Sequence, residues 1–209
     1  VLNNGKTGAV TFIGTVSPAG GNLKEPVTES TKKAARCFYG LEQNRADQKR
    51  YPAVNPIESY SKYLEYPEII SYLDEQVEHG WVANLIKAKN LLRRGREANE
   101  QINILGDDGV PVAYHVSFWK SELIDFVFLQ QDAFDETDAL CPMDRQKYML
   151  DLVLDICDID FDFDDFEKCR EFFKELINDL RQMNYTKFHS EEFEKYAVKI
   201  NKLIEDYGK

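Results

Sequence analysis

From Glu68 to the end of the chain, apolar residues return every three or four positions, the spacing that lines one face of an α-helix. This period predicts six helices, over about 68–79, 81–103, 114–133, 143–157, 164–184 and 190–207. In the fifth, Phe166, Cys169, Phe172, Phe173, Leu176, Ile177, Leu180 and Met183 share a stripe; in the sixth, Phe193, Ala197, Ile200, Leu203, Ile204 and Tyr207 do. Such stripes are core faces. The breaks between helices, at Gly106-Asp107-Asp108-Gly109-Val110-Pro111, at Cys141-Pro142 and around Asn184, are short and suit antiparallel packing in a bundle.

The first 67 residues follow a different pattern. Ala9 to Val16, AVTFIGTV, is β-branched and aromatic, apolar on both faces, and bounded by Gly8 and by Ser17-Pro18-Ala19-Gly20-Gly21. It predicts one buried central strand, although no second convincing strand follows. Pro26 and Thr28 then introduce a helix expected to run to about Lys49-Arg50, with Thr28 as its N-cap and Ala34, Ala35, Phe38 and Leu41 as its stripe. Pro52, Pro56 and Pro67 make the next segment an ordered connector that excludes regular helix until about Glu68. The fold class expected is therefore mainly α: a helical bundle of about six helices preceded by a small α/β portion.

Composition narrows the function classes. Against 37 Asp and Glu stand 26 Lys and Arg, a net charge of −11, which disfavours nucleic acid or an anionic membrane surface as partner. With 43% hydrophobic residues the chain can bury a core. No apolar run is long enough for a membrane span, and VLNNGKTGAV lacks the order of a signal peptide, so no direct membrane insertion is expected. Cys37, Cys141, Cys157 and Cys169, separated by 104, 16 and 12 residues, fit neither a metal knuckle nor a disulfide framework and read as reduced, buried thiols of a cytosolic protein.

Each local candidate for chemistry has a plainer reading. Gly5-Lys6-Thr7 lacks the upstream glycine of a phosphate loop and precedes the expected strand instead of following one, so it reads as a turn. Asp158, Asp160, Asp162, Asp164 and Asp165 alternate with apolar residues as in a calcium loop, but the central glycine is missing, and the run reads as the N-cap of the helix that follows. His79, His115 and His189 are too dispersed for a metal site and are expected at the surface or its boundary. No metal site and no catalytic residue is expected. Tyr51, Phe128 and Phe134 could stack on a flat ligand or simply fill the core. Taken alone, these features also fit a self-contained, acidic helical interaction module without catalysis.

Three longer stretches carry a resemblance. Ile13 to Thr28 (IGTVSPAGGNLKEPVT), Arg50 to Tyr63 (RYPAVNPIESYSKY), and Phe128 to Asp135 (FLQQDAFD) followed by Cys141-Pro142 closely resemble, in order, the catalytic A subunits of V/A-type rotary ATPases. The resemblance implies that the chain is the C-terminal part of a longer subunit. Residues 1–64 would be the end of the nucleotide-binding α/β domain and residues 65–209 the C-terminal helical domain. It implies ATP hydrolysis or synthesis coupled to proton or sodium-ion transport, with ATP or ADP and Mg²⁺ bound in the complete subunit. The phosphate loop, Mg²⁺-coordinating strand and catalytic carboxylate of the family precede this segment, so the segment alone is expected to be inactive. Implied partners are non-catalytic B subunits in an alternating ring, the central rotor shaft and a peripheral stalk, in a complex on the cytoplasmic face of a membrane.

The same resemblance assigns residues. Tyr51 matches the aromatic position that packs against adenine; V/A-type subunits usually carry Phe there, and the related F-type subunits Tyr. Phe134, with Gln130 expected one helical turn earlier, matches the other side of that pocket. The loop Ser17, Pro18, Ala19, Gly20, Gly21 and Asn22 resembles one that touches the rotor shaft. Leu105, Gly106, Asp107 and Asp108 correspond to the tip through which the helical domain pushes on the shaft. With Asp107 and Asp108 as its only carboxylates, the expected role of this tip is steric.

Overall fold

The structure, a computed structural model, describes Gly5, residues 7–205 and Tyr207. Parts of two expectations lie outside those residues: Lys6 of the Gly5-Lys6-Thr7 turn, and Asp206 within the expected last helix. The architecture is mainly α, as the periodicity predicts. Eight α-helices are described: α1 Pro26–Ala34, α2 Gln43–Asp47, α3 Pro67–Gln76, α4 Trp81–Leu105, α5 Val112–Leu123, α6 Met143–Asp158, α7 Phe166–Asn184 and α8 Glu191–Glu205. A π-helical turn, Ile124–Leu129, continues α5. Two short strands, β1 Cys37–Phe38 and β2 Tyr60–Ser61, pair antiparallel, with Cys37 opposite Ser61 and Phe38 opposite Tyr60.

The bundle forms where the apolar stripes meet. Leu123, Ile124, Leu150, Val153, Cys169, Phe173, Leu176, Leu180, Met183, Phe193 and Ile200 are all fully buried and belong to one continuous core. α7 occupies its centre, touching α5 on one side and α8 on the other. Asp165 caps α7, its Oδ1 accepting the Lys168 N–H at 2.8 Å, so the acidic run does serve the helix start as its spacing predicts. At the opposite end, the buried Arg145 of α6 donates to the Asn184 carbonyl, and Thr186 Oγ1 donates to the Met183 carbonyl at 2.7 Å. A cation there satisfies carbonyls that the last turn leaves without partners and complements the helix dipole.

α4 and α5 form a hairpin. α4 has 25 residues and is about 37 Å long at 1.5 Å rise per residue. Gly95 permits a close approach of the two helices, since an added Cβ would stand 1.9 Å from Ser121 Oγ and 2.1 Å from Ser121 Cβ. At the tip, Gly106 ends α4 with φ +83° and ψ 163°, a backbone conformation open essentially to glycine.

The region before α3 departs from the sequence expectations. Ala9 to Val16 forms no strand; Val10, Phe12 and Ile13 are exposed, and no described segment pairs with them. A strand exists only through its ladder. The long helix expected from Thr28 to Arg50 is broken into α1, β1 and α2. Its cap is Glu25, with Pro26 at the first helical position, while Thr28 is buried and donates through Oγ1 to Glu25 Oε1 at 2.9 Å. The break arises because the connector takes the backbone groups of residues 36–42. Lys62 N–H donates to the Arg36 carbonyl, Asn55 N–H to that of Gly40, and Glu42 N–H to the Ala53 carbonyl. Leu41, expected on the apolar stripe, is exposed and bridges to Val54. The prolines of the connector act as expected, and α3 begins at Pro67.

Three smaller corrections concern side chains and one helix end. Cys157 and Cys169 are buried, but Cys37 and Cys141 are half-buried. Burial in apolar surroundings pushes both buried thiols up to about 12, so they remain protonated. His115, expected at the surface or its boundary, is buried: its ring stacks on Phe166 at 5.2 Å and its Nε2 lies 3.0 Å from the Asp107 carbonyl oxygen. The helix expected to reach residue 133 ends at Leu129, because the Gln130 N–H closes a wide turn onto the Asp125 carbonyl at 2.9 Å and the chain then turns extended.

Candidate functional site

Four ionised side chains join the region before α3 to the bundle. Arg45 on α2 donates from Nη1 and Nη2 to Asp125 Oδ2 and Oδ1, at 2.9 and 2.7 Å. Arg50, just beyond α2, makes a two-pronged contact with Glu122, at 3.0 and 2.8 Å, and a further one from Nη1 to Asp125 Oδ2 at 2.5 Å. Its guanidinium lies over the Phe126 ring, 4.5 Å from the centroid. Burial acts to lower the Arg50 pKa, but the hydrogen bonds and charges of Glu122 and then Asp125 outweigh it and leave the pKa raised. The cation is therefore permanent. Two positive and two negative charges are balanced in this half-dry seam.

Tyr51 follows Arg50 directly. Its peptide bond to Pro52 is cis, its side chain is 52% exposed, and its carbonyl accepts the Gln131 N–H at 2.9 Å. That backbone bond brings the Tyr51 segment beside the loop that carries Gln130 and Phe134. Phe134 is 100% exposed, at the crest of a loop shaped by carboxylates. Asp132 Oδ1 accepts the Phe134 N–H at 2.9 Å, Asp135 Oδ1 accepts those of Thr137 and Asp138, and Asp138 Oδ2 accepts that of Asp132 at 2.6 Å. Gln131 Nε2 closes the loop onto the Asp138 carbonyl. Burial raises the Asp138 carboxyl pKa, only partly offset by its bond from Asp132 and by Arg145.

Gln130 itself turns inward. Its Oε1 is buried without a hydrogen-bond partner, beside a crevice lined by Phe126, Asp138, Arg181, Asn184 and Tyr185. Gln130 and Phe134 thus stand on an extended segment and a loop, not one turn apart on a helix. Phe128 is half-buried against the core. Among the described residues neither Tyr51 nor Phe134 packs into the core.

The other candidate residues lie on two exposed turns. Ala19–Gly21 is a single 3₁₀ turn after Pro18, closed by Gly21 N–H to the Pro18 carbonyl, with φ +62° at Gly20 and +71° at Gly21. Asn22 Oδ1 accepts the Lys24 N–H at 3.1 Å, and Ser17 and its neighbours are not buried. At the hairpin tip Leu105, Gly106, Asp107 and Asp108 are exposed, and His115 fastens the Asp107 carbonyl to α5. A cavity of about 490 Å³ between α4, α5 and the end of α6 is lined by none of these residues. Among the described residues no group of His, Cys, Asp and Glu is arranged to hold a metal ion, and no helix is long and apolar enough to cross a membrane.

Sequence reasoning missed the ionic seam. Arg45 and Arg50 lie 72 to 80 residues from Glu122 and Asp125, and no local spacing announces such a pairing. The loop carboxylates were more legible, since Asp132, Asp135 and Asp138 recur every third position, a spacing that suits side-chain to backbone turns.

Residues 2–61 match the ATP synthase alpha/beta family, nucleotide-binding domain, and residues 71–159 match the C-terminal domain of V and A type ATP synthase. The whole chain is 38% identical over 208 residues to a V-type ATP synthase alpha chain of Protochlamydia amoebophila, covering 35% of that protein. A V-type ATP synthase alpha chain of Chlamydia trachomatis serovar L2 is 40% identical over 204 residues, 98% of this chain and 34% of the relative. That of Borrelia duttonii is 38% identical, over 98% of this chain and 33% of the relative. The solved structure of ATP synthase subunit NeqB from Nanoarcheaum equitans shares the fold, with a TM-score of 0.50 at 17% identity over 69% of this chain and 33% of that one. The chain spans about a third of the length of these relatives. Two successive family matches and similarity along the whole of this chain make it a member of the V/A-type ATP synthase alpha-chain family, corresponding to one third of such a chain.

Proposed function

We propose that this chain forms the C-terminal third of a rotary ATPase catalytic subunit, where it grips the base of ATP or ADP and passes the resulting closure to a rotor. Phosphoryl transfer needs a phosphate loop, Mg²⁺ and a cationic residue aimed at the reacting phosphate. No phosphate loop occurs in this sequence, so Mg²⁺ and the phosphates fall to other parts of the complete subunit. Tyr51 and Phe134 offer two aromatic faces for the adenine ring, and the half-buried Gln130, whose Oε1 is turned inward, stands in the segment that leads to Phe134. The exposure of Phe134 carries this reading. A wholly exposed phenyl ring on a loop held by four carboxylate-to-backbone hydrogen bonds is costly to leave in water and fits a ligand-facing role.

The α4–α5 hairpin suits transmission, because a long helix pair locked at Gly95 and Ser121 moves as one lever whose tip is Leu105 to Asp108. With only two carboxylates the tip would push by contact more than by charge, and the Ser17–Asn22 turn would face the same shaft. Alternating B subunits, a central shaft and a peripheral stalk complete the proposed assembly, which associates with the membrane through its other subunits and couples ATP to proton or sodium-ion transport. Phe134→Ala in a full-length alpha chain tests the base site. The expected result is ATP affinity lowered about tenfold, from the loss of stacking, with an unchanged thermal midpoint. Unchanged affinity rejects the role.

A further inference from the structure

Asp125 bonds to both of the segments that carry the proposed base-site residues. Its carboxylate binds Arg45 and Arg50, the residues that bracket the end of α2 and lead into Tyr51. Its carbonyl accepts the Gln130 N–H and so ends the π-helical turn. The next N–H, that of Gln131, reaches the Tyr51 carbonyl, and the loop bearing Phe134 starts one residue later. Side chain and main chain of one residue therefore fix the separation between the Tyr51 segment and the Gln130–Phe134 segment.

The seam is poorly built for stability alone. Arg45 Nε and Arg50 Nε are buried without partners, and a buried ion cluster recovers little more than the cost of removing its charges from water. Its geometry is nonetheless fully specified, with a guanidinium fork on each carboxylate. We infer that Asp125 is a positioning residue for the proposed base site, setting the gap into which the adenine ring fits. The inference rests on the proposed nucleotide role and adds to it a residue that touches no ligand.

The test uses a full-length alpha chain in its assembled complex, with binding of ATP and of inorganic tripolyphosphate, each with Mg²⁺, measured by calorimetry. Tripolyphosphate carries the phosphates without the base. Asp125→Asn is expected to weaken ATP binding about tenfold and to leave tripolyphosphate within about twofold, since loss of positioning acts on the base alone. Equal losses for both ligands, or no loss for either, would overturn the positioning role. Because Asp125→Asn leaves Arg45 with a buried, less compensated charge, the double variant Arg45→Gln with Asp125→Asn is measured in parallel and carries the same expectation. Phe134→Ala separates the two levels: if it weakens ATP binding while the Asp125 variants do not, only the positioning inference fails. If Phe134→Ala is also without effect, the base-site reading fails with it.

Discussion

Every buried apolar side chain among the described residues lies at or beyond Trp81, whereas between Thr7 and Tyr66 the buried side chains are Thr28 and Arg45. The helical part closes over rings and aliphatic groups from α5, α6, α7 and α8. The part before α3 reaches it through polar contacts: Arg45 and Arg50 on Glu122 and Asp125, Lys89 Nζ on the Ser59 carbonyl, and Gln131 N–H on the Tyr51 carbonyl. Partial burial lowers the Lys89 pKa, with Arg93 acting in the same direction and Glu58 against it. One region is thus stabilised by volume and the other is docked by charge and hydrogen bonds. Their failures should differ in extent: a lost ring should unfold the whole helical unit, and a lost charge should release a strap.

The largest expected effect is on the first side of that contrast. Phe173 is fully buried, stacked nearly parallel to Trp119 at 6.4 Å and in edge contact with Phe161 and Phe172. Phe173→Ala removes the transfer energy of the ring and leaves a cavity, for a loss of about 3–5 kcal/mol. Urea unfolding of the 209-residue chain, followed by tryptophan fluorescence and by far-ultraviolet dichroism, should show both signals shifted together. Separate shifts would mean that the helical part is not one cooperative unit.

Arg50→Ala tests the other side. It leaves Glu122 without its two-pronged partner and uncovers the Phe126 ring, at a cost of about 1–3 kcal/mol for a pair that is still partly wetted. Native-state hydrogen exchange should rise at the amides of Glu42, Asn55, Lys62 and Gln131, which bond across or within the strap. Exchange within α7 should stay at its original rate. If α7 amides accelerate equally, the seam supports the core and the contrast between the two regions collapses.

The same contrast explains what the sequence revealed. Helical periodicity located all six helices beyond Glu68, because an amphipathic helix buries its stripe against whatever core is present and its pattern is local. The prolines of the connector, the Asp165 cap and the glycine-ended hairpin were legible for the same reason: each acts within a few residues. Before α3 local pattern misled. AVTFIGTV has strand chemistry without a paired ladder, and the 28–50 segment has helical spacing but gives up its backbone groups to a connector up to 26 residues away. For Tyr51 and Phe134 the sequence left stacking and core both open, since the exposure of Phe134 cannot be read from a one-dimensional spacing. The Arg45, Arg50, Glu122 and Asp125 seam was missed because its members are linked only by the fold.

Asp138 supplies the finest test, because its loop belongs to the helical part but is built like the strap, from carboxylates on backbone N–H groups. Burial raises its folded-state pKa above the ordinary carboxylate value. An acid that holds its proton more tightly when folded adds stability below its unfolded pKa, about 3.9, and loses that contribution as pH rises through the folded value. At neutral pH the ionised form is therefore a net cost. Asp138→Asn keeps an oxygen to accept the Asp132 N–H while removing the charge, so at pH 7 the variant should be slightly more stable than the parent. The advantage should vanish below about pH 4, where the parent carboxyl is protonated in both states. Urea midpoints measured at the two pH values decide the matter. A variant less stable at pH 7 would show that the charged hydrogen bond from the Asp132 N–H and the attraction to Arg145 together exceed the cost of burial, and the charge-held region would then extend from the strap into the loop that carries Phe134.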